Sequence, residues 1–264
     1  MTSQRLPLCQ PIKCPPMKRA YWEKIAPSYD DEIFDLLKND SRALVRKAIR
    51  KYAGPAKSAI DIGCAIGKWL PVLSPQFKKV FAVDISANNL AIARRLHPHL
   101  DNIEYHRADM SGRNKVPACD LGICINAILT PSAKHRNNFF RSLTSCIKKG
   151  GHIIITVPSL ESWLLTHIVQ HKWKIDRSFF PAKTAAKEAT RKWNNITQQG
   201  NADIDGVPHK HYLKEELDIL LAKVEFKTVA FHKIEYEWST EFHRPPQWLK
   251  EPRPWDWMVV AKRV

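Results

Sequence analysis

The chain has 264 residues, of which 44% are hydrophobic, and its formal net charge is +16. This length suits one large domain with an insertion, and this composition is enough for a sizeable core. No apolar run reaches the roughly 20 residues that a membrane-spanning helix needs, so we expect no membrane insertion. The positive charge is spread over the chain without a recognisable RNA-binding module, which favours a solvated basic surface and leaves nucleic-acid binding open as the less favoured interpretation.

The first 19 residues contain several prolines and no acid, and we expect a flexible tail there rather than a targeting helix. The same region lacks the apolar segment of a signal peptide, which favours a cytoplasmic protein. Six cysteines are present without a paired metal-binding spacing. We therefore expect reduced, buried thiols and assign no metal.

The stretch from Ser58 to Gly67 is a short apolar strand interrupted by Asp61 and followed by small residues. Apolar residues on both sides of Asp61 predict a buried parallel strand, since both faces of such a strand are covered. Gly63, Ala65 and Gly67 then permit a sharp turn and a close approach of the backbone to a ligand. This pattern is typical of the first unit of a nucleotide-binding sheet.

A second predicted strand, 80–83, ends at Asp84. That acid lies about 20 residues beyond the turn, where βαβ units place a carboxylate on a ribose. The turn has no G-x-G-x-x-G, and Asp61 beside it would repel a pyrophosphate, which disfavours a nicotinamide oxidoreductase. A ligand that carries an ammonium and a sulfonium would suit this acid.

At this point the chain resembles the class I S-adenosylmethionine-dependent methyltransferases of the small-molecule type, whose first motif is an acid, one residue and then G-x-G-x-G. Ala65 stands at the middle glycine of that motif. The resemblance extends in order to the lead-in helix and to four further strand motifs, which are residues 20–30, 81–86, 103–110, 120–128 and 148–158. It implies S-adenosylmethionine as cofactor.

The resemblance also implies roles for particular residues. Asp84 would accept the ribose hydroxyls, Ile85 and Met110 would pack on the adenine, and Asp109 would lie near its amino group. Asn126 would face the methionine end, and Tyr29 would cover it. The full set of cofactor-binding residues is then Tyr29, Asp61, Gly63, Cys64, Ala65, Gly67, Asp84, Ile85, Asp109, Met110 and Asn126.

Up to residue 158 the pattern alternates strands and helices, which predicts a parallel sheet with right-handed crossovers. The predicted helices are 31–52, 68–73, 87–96, 132–148, 160–171, 182–193 and 214–223, and two late strands are 226–238 and 256–262. Between residues 159 and 212 we predict no strand, and a polar loop at 198–206. By resemblance the fold is α/β: a Rossmann-like, doubly wound and mostly parallel seven-stranded sheet with an antiparallel edge strand and a helical cap insertion.

The predicted division is a tail at 1–19, a cofactor-binding core at 20–158, a helical cap at 159–212 and the last part of the core sheet at 213–264. The cap would lie above the carboxyl ends of the strands and shape the acceptor pocket, where open α/β sheets bind ligands. Its aromatic residues also fit a small satellite core, which is the alternative interpretation.

His209, His211 and Tyr212 precede the helix at 214–223 and are the candidate catalytic residues. Histidine titrates near neutrality and can accept a proton from a hydroxyl or amine acceptor, although such residues also commonly flank a helix. Glu241 and His243 are weaker candidates.

The sequence therefore predicts a methyltransferase that acts on a small molecule. A methyltransferase acting on RNA or another macromolecule through a basic surface, and a non-catalytic binder with the same fold, are the alternatives. The oligomeric state and the acceptor stay open.

Overall fold

The structure is a computed structural model that describes residues 19–29, 33–112, 114–176, 186–204 and 207–264. All but one residue of the predicted tail, and parts of the predicted cap at 177–185 and of its polar loop at 205–206, lie outside the described residues.

Nine α-helices are found in the described part of the chain. They are α1 Arg19–Ile25, α2 Leu36–Asn39, α3 Leu44–Tyr52, α4 Leu70–Leu73, α5 Ala87–Leu96, α6 Ala133–Cys146, α7 Leu160–Trp173, α8 Ala186–Gln199 and α9 Lys214–Ala222. The strands in the same ranges are β1 Gly54–Ile62, β2 Phe77–Asp84, β3 Ile103–Arg107, β4 Cys119–Ile125, β5 Ile147–Pro158, β6 Asn201–Ile204, β7 Val207–Lys210, β8 Phe226–Glu235 and β9 Trp255–Arg263.

Seven strands form one sheet in the order β3-β2-β1-β4-β5-β9-β8. The first five pair in parallel, and β9 runs antiparallel to both of its neighbours, β5 and β8. The α/β fold class predicted from the sequence is confirmed. The antiparallel strand lies one place inside the edge, so that β8 forms the edge itself.

Two hydrophobic clusters cover the two faces of this sheet. Ile60 and Ile62 of β1 belong to one cluster, while Ala59 belongs to the other. Because successive side chains of a strand point to opposite faces, Asp61 projects to the same face as Ala59. Its register partners Ala82 and Ile123 also belong to that second cluster. An acid therefore stands on an apolar face of the sheet, close to its carboxyl edge.

The single helix predicted at 31–52 is wrong, because the chain breaks between α2 and α3. Ala43 adopts a left-handed backbone conformation with φ of 52°, which ends helical continuity. The carboxylate of Asp40 accepts hydrogen bonds from the backbone N–H groups of Leu44 and Val45, each at 2.9 Å. Asp40 thereby satisfies donors at the start of α3, a capping role that a purely apolar period does not reveal.

The prediction of no strand between 159 and 212 is also wrong. β6 and β7 form a two-stranded antiparallel hairpin in which Asn201 pairs with Lys210 and Ile204 pairs with Val207. Each strand has only four residues, and β7 contains Pro208. Such short segments without apolar alternation carry almost no strand signal in the sequence.

The hairpin is attached to the carboxyl ends of two central strands. The backbone N–H of Lys210 donates to the carbonyl of Leu129 at 2.9 Å, and that of Tyr212 donates to Pro158 at 2.8 Å. Leu129 follows β4, and Pro158 ends β5, so this part of the insertion lies over the edge where the strands end. None of the helices in the described ranges is long and apolar enough to cross a bilayer.

Candidate functional site

The turn after β1 is tied to the end of β2 by its backbone. The N–H groups of Gly63 and Cys64 both donate to the carbonyl of Val83, at 2.8 and 2.9 Å. Gly63 has φ of +76°, and a Cβ atom there would stand 2.4 Å from the Cβ of Ala127. Only glycine fits this position, because it tolerates the conformation and lets the loop after β4 approach.

Ala65 occupies a left-handed conformation with φ of 47° at the position of the missing glycine. Its N–H donates to Asp84 Oδ2 at 2.9 Å, which holds the turn in place. Gly67, with φ of +82°, then turns the chain toward α4, and a Cβ there would meet Leu70 Cδ1 at 2.7 Å. The one-methyl departure from the motif is accommodated by the backbone, with a strain of about 1–2 kcal/mol.

Asp61 is buried beneath this turn without a partner. Its side chain is 1% exposed, and Oδ2 has no hydrogen-bond partner among the described residues. Burial, together with the charge of Asp84, raises the pKa of Asp61 to about 8. A buried carboxyl group that lacks hydrogen bonds is costly, and a cation placed beside it would relieve that cost.

Asp84, at the end of β2, joins the turn to the next helix. Oδ2 accepts from Ala65, and Oδ1 accepts from the N–H of Ser86 at 2.8 Å. Burial raises the pKa of this carboxyl group, and the hydrogen bonds from Ser86 and Ala65 oppose that rise. Each carboxylate oxygen can accept more than one hydrogen bond, so Asp84 keeps capacity for hydroxyl donors.

Glu23 of α1 also belongs to this region, and the sequence interpretation missed it. Its carboxylate accepts from Ser86 Oγ at 2.9 Å and from the N–H groups of Ala87 and Asn88, each at 3.0 Å. Although burial acts to raise it, the hydrogen bonds from Asn88, Ala87 and Ser86 lower the pKa of Glu23 to about 2. Glu23 therefore fastens the lead-in helix to the start of α5. Because Glu23 is far in sequence from the residues that it contacts, no local pattern indicates this role.

Tyr29 lies next to the acids of the turn. Burial, with the charges of Asp84, Cys64 and Asp61, raises the pKa of its hydroxyl. Lys68 lies 5.9 Å from the centre of the Tyr29 ring and forms an ion pair of 2.9 Å with Asp35. The structure thus brings Tyr29, Asp61 and Asp84 together, as the sequence predicted for one ligand.

The segment after β3 is placed beside the end of β2. The N–H of Ala108 donates to the carbonyl of Asp84 at 3.0 Å. The exposed Asp109 accepts from the N–H and the hydroxyl of Ser111, at 2.8 and 2.7 Å. Met110 is buried in the core, and Ile85 is half-buried. Asp109 is therefore engaged in its own turn, with one face still open to solvent.

Asn126, after β4, is engaged on the opposite side of the turn. It has φ of 48°, and its Nδ2 donates to Asp256 Oδ2 at 3.0 Å. Its Oδ1 accepts from the hydroxyl of Thr156 at 3.0 Å. The next residue, Ala127, packs on Gly63 of the turn. The Asn126–Asp256 pair is therefore adjacent to a residue that contacts the turn.

A buried aromatic group stands next to this pair, and the sequence interpretation did not single it out. Tyr236 is 5% exposed, lies beside Asp256 and forms an edge-on contact with Phe34, with ring centres 4.7 Å apart. Further along the chain, the rings of Trp238 and Phe242 stack on each other, with their centres 5.3 Å apart. A length of chain between two strands carries these residues, so no periodicity marks them.

The three candidate catalytic residues are used mainly within the fold. Tyr212 is fully buried, and its hydroxyl donates to the carbonyl of Ile128 at 2.8 Å. His211 is 3% exposed, and burial lowers its pKa to about 4, so the ring is neutral. The Nδ1 atoms of His209 and His211 lie 2.8 and 3.2 Å from backbone carbonyls of Val207 and His209.

These contacts give all three side chains a structural explanation, which the sequence interpretation had kept as its alternative. By contrast, some of the residues predicted to bind the cofactor lie close together. They are the residues of the turn after β1, with Asp61 and Asp84 beside it at one edge of the sheet. Among the described residues, no group of three His, Cys, Asp or Glu side chains is arranged to hold a metal ion.

Comparison with known proteins points to one family. Residues 59–151 match the family model of a methyltransferase domain. A probable S-adenosylmethionine-dependent methyltransferase of Saccharomyces cerevisiae, CRG1, is 33% identical over 76 residues. That alignment covers 29% of this chain and only 22% of the yeast protein.

Solved structures resemble the chain over a much longer stretch. A methyltransferase from Methanosarcina mazei, described as S-adenosylmethionine-dependent, has a TM-score of 0.57 at 16% identity and covers 82% of this chain and 97% of its own. The N-methyltransferase NodS from Bradyrhizobium japonicum, in complex with S-adenosyl-L-homocysteine, has a TM-score of 0.60 at 10% identity, with coverages of 93% and 97%. At these identities the likeness concerns the fold. Residues 59–151 thus match the model of a methyltransferase domain, and the chain shares the fold of these solved methyltransferases.

Proposed function

We propose that this chain is an enzyme that binds S-adenosylmethionine and transfers its methyl group to a small-molecule acceptor. The observation that carries the proposal is the buried, unpartnered carboxyl group of Asp61 under the turn of Gly63 and Ala65. A bound pyrophosphate would raise the pKa of Asp61 still further, whereas a cationic ligand would lower it and compensate the buried carboxylate.

The residues around the turn fit the parts of this cofactor. Asp84 has acceptor capacity for ribose hydroxyls at the end of β2. Asp61, which a bound cation would hold in its ionised form, and Tyr29 lie on the side where the methionine portion would be. Ile85, Met110 and Asp109 lie along the neighbouring strand ends and would contact the adenine. The cofactor supplies an activated methyl group, bonded to a positively charged sulfur.

The chain's own task is to position the acceptor and to exclude water. Methyl transfer needs the attacking atom about 3 Å from the methyl carbon and in line with the carbon–sulfur bond. The buried ring of Tyr236, near the Asn126–Asp256 pair, contacts the exposed ring of Phe34, and we propose that these rings help to exclude water. NodS, described as an N-methyltransferase, shares this fold, which supports methyl transfer as the reaction.

We further propose that the protein works in the cytoplasm. Cys64, Cys119, Cys124 and Cys146 are free thiols, which fits the reducing cytoplasm. The cap limits at 159 and 212 remain part of the proposal. We assign no catalytic step to Tyr212 and His211, because their contacts serve the fold.

Titration calorimetry with S-adenosylmethionine and with S-adenosylhomocysteine tests the cofactor. We expect the wild-type chain to bind both. A folded chain that binds neither ligand at about 1 mM, where even weak binding is detected, would contradict the proposal. A second test uses radiolabelled methyl donor with metabolite extract and with total RNA. Label in small molecules supports the proposed acceptor class, and label confined to RNA would replace it.

A further inference from the structure

A second group of polar side chains, Asp256 and Tyr236, lies at the same edge of the sheet, apart from Asp61 and Asp84. Asp256 pairs with Pro158, the last residue of β5. Burial and the neighbouring Asp256 raise the pKa of the Tyr236 hydroxyl.

Asp256 is the central member of this second group. It is 9% exposed, and Asn126 Nδ2 donates to its Oδ2 at 3.0 Å. No lysine or arginine forms an ion pair with it within the described ranges. Burial raises its pKa, and the neighbouring polar groups of Asn126 and Tyr236 oppose that rise. Neither of these groups is charged, whereas a buried carboxylate commonly has a cationic partner.

Two aromatic residues on the segment that leads from β8 to β9 carry buried polar atoms that lack a hydrogen bond of good geometry to any described residue. Tyr236 Oη and Trp238 Nε1 have no hydrogen-bond partner of good geometry among the described residues. Their residues are 5% and 3% exposed. Buried polar groups are nearly always hydrogen-bonded, so each exception asks for a ligand or another explanation. Tyr236 Oη faces Asp256, and a ligand bound to one of them would lie beside the other.

The position of Asp256 relative to the donor turn is fixed through two contacts. Asn126 holds Asp256 by its side chain, and the next residue, Ala127, packs against Gly63. A ligand atom on the carboxylate would therefore approach the methionine end of a donor bound at that turn. Phe34 and Tyr236 supply aromatic surface at the same place, and such rings attract organic cations.

We propose that Asp256 binds the nitrogen of the methyl acceptor and that the acceptor is a small-molecule amine. This inference rests on the proposed methyltransferase function and adds the class of its substrate. Asp256 is then a catalytic residue, with Asn126 as the residue that positions it.

The step balances as follows in charge and atoms. The ammonium group of the acceptor binds the carboxylate and gives one proton to Asp256. The freed nitrogen lone pair forms the bond to the methyl carbon, while the carbon–sulfur bond breaks and its electron pair stays on sulfur. A methylated ammonium and a neutral thioether leave, and Asp256 loses its proton to water. A carboxyl group in such an environment is suited to this exchange.

The chemical class of the labelled product gives the first test. The wild-type protein is incubated with radiolabelled methyl donor and either metabolite extract or a panel of primary amines, with the matched alcohols alongside. Products are separated by cation exchange at pH 7 and identified by mass spectrometry. We expect labelled N-methyl amines and no labelled ethers or esters. Label only on oxygen, carbon or sulfur, or no label from protein that binds the donor, would overturn the proposal.

The second test uses Asp256→Asn, which keeps the shape of the side chain and removes its charge. We expect amine methylation to fall at least 30-fold while the Kd for the donor changes less than threefold. Tyr236→Phe should raise the KM for the amine with a smaller effect on kcat. Glu237→Gln is the matched control, since Glu237 is exposed on the same segment and pairs with Arg253.

Failure of the two proposals can be told apart. Loss of donor binding in the wild-type chain would remove the methyltransferase proposal itself. Normal donor binding with full amine methylation by Asp256→Asn would remove only the role of Asp256, and thermal unfolding of each variant shows that it is folded.

Discussion

Gly63 packs so closely against Ala127 that a Cβ atom on Gly63 would stand 2.4 Å from Ala127 Cβ. The contact joins the turn after β1 to the loop after β4. The proposed donor turn and the loop that carries Asn126 are therefore fixed to each other at this point.

Gly63→Ala should destabilise the protein and abolish donor binding. The variant meets two penalties: the left-handed conformation, about 1–2 kcal/mol, and overpacking against Ala127, about 1–3 kcal/mol. Gly150→Ala separates them, because Gly150 has φ of +79° with nothing within 4 Å of its Cβ position. Denaturant unfolding of the two variants measures the difference. Equal free energies of unfolding would show that the contact with Ala127 relaxes freely.

Asp84→Asn should weaken S-adenosylmethionine binding by about 10- to 100-fold, because hydrogen bonds to a charged group contribute about 1.5–3 kcal/mol. The change also weakens the link to Ala65 and Ser86. Asp120→Asn is the control, since Asp120 bonds Ser58 and Lys148 at the other edge of the sheet. Calorimetry on both variants provides the measurement. Unchanged affinity of Asp84→Asn for S-adenosylmethionine would show that Asp84 does not bind the ribose.

The free energy of unfolding of the ligand-free protein should carry a pH dependence that comes from Asp61. Its pKa is about 8 in the folded state and about 3.9 when unfolded, so the folded state holds the proton more tightly. This contribution to stability is complete below pH 4 and is lost as the pH rises toward 8. Asp61→Asn removes it, and denaturant unfolding at pH 5, 6.5 and 8 compares the two proteins. A parallel pH dependence in both would place the pKa of Asp61 near its ordinary value.

Tyr212→Phe should lower stability while leaving the reaction intact. The variant loses the buried hydrogen bond to Ile128, and about 1–3 kcal/mol is expected for an acceptor left unsatisfied. Thermal unfolding and the turnover number per folded molecule are measured together. A large loss of turnover without loss of stability would restore the catalytic role that the sequence suggested.

Glu216→Gln should destabilise the cap by about 3 kcal/mol, because it leaves Lys210 buried without its charge partner. Lys210 is 2% exposed, and its Nζ lies 2.6 and 2.7 Å from the two carboxylate oxygens of Glu216. In the double variant Lys210→Met, Glu216→Gln the buried ammonium group of Lys210 is gone together with its partner. We expect this variant to unfold at a higher denaturant concentration than Glu216→Gln alone, and the reverse order would show that the pair is not the cause.

The parts of the fold that the sequence predicted are those with a local signal. The helix at 87–96 was predicted to the residue, because Ser86 caps it and Pro98 follows it. Asp61 and Asp84 lie at or near the ends of β1 and β2 in motifs of fixed spacing, and the N–H of Ala65 joins the turn to Asp84. That these acids bind the donor stays a prediction. The hairpin of β6 and β7 was missed, since strands of four residues that rely on contacts with Leu129 and Gly200 carry no pattern of their own.

The acceptor side was also outside the reach of sequence patterns. Asn126 and Asp256 are 130 residues apart along the chain and meet only because β9 returns next to β5. The histidines around Tyr212 looked reactive by type, but burial and backbone contacts decide their state. Residue type predicts chemistry poorly when tertiary packing sets exposure.

The reversed direction of β9 has a consequence for how such a protein can diversify. A reversed strand delivers its beginning, not its end, to the edge where the donor turn lies, so the connector from residue 236 to 254 starts and finishes there. We expect exchange of that connector to alter the proposed acceptor side and to leave the five parallel strands and the turn after β1 in place. One reversed strand thus puts the two proposed halves of the site on separate stretches of the chain.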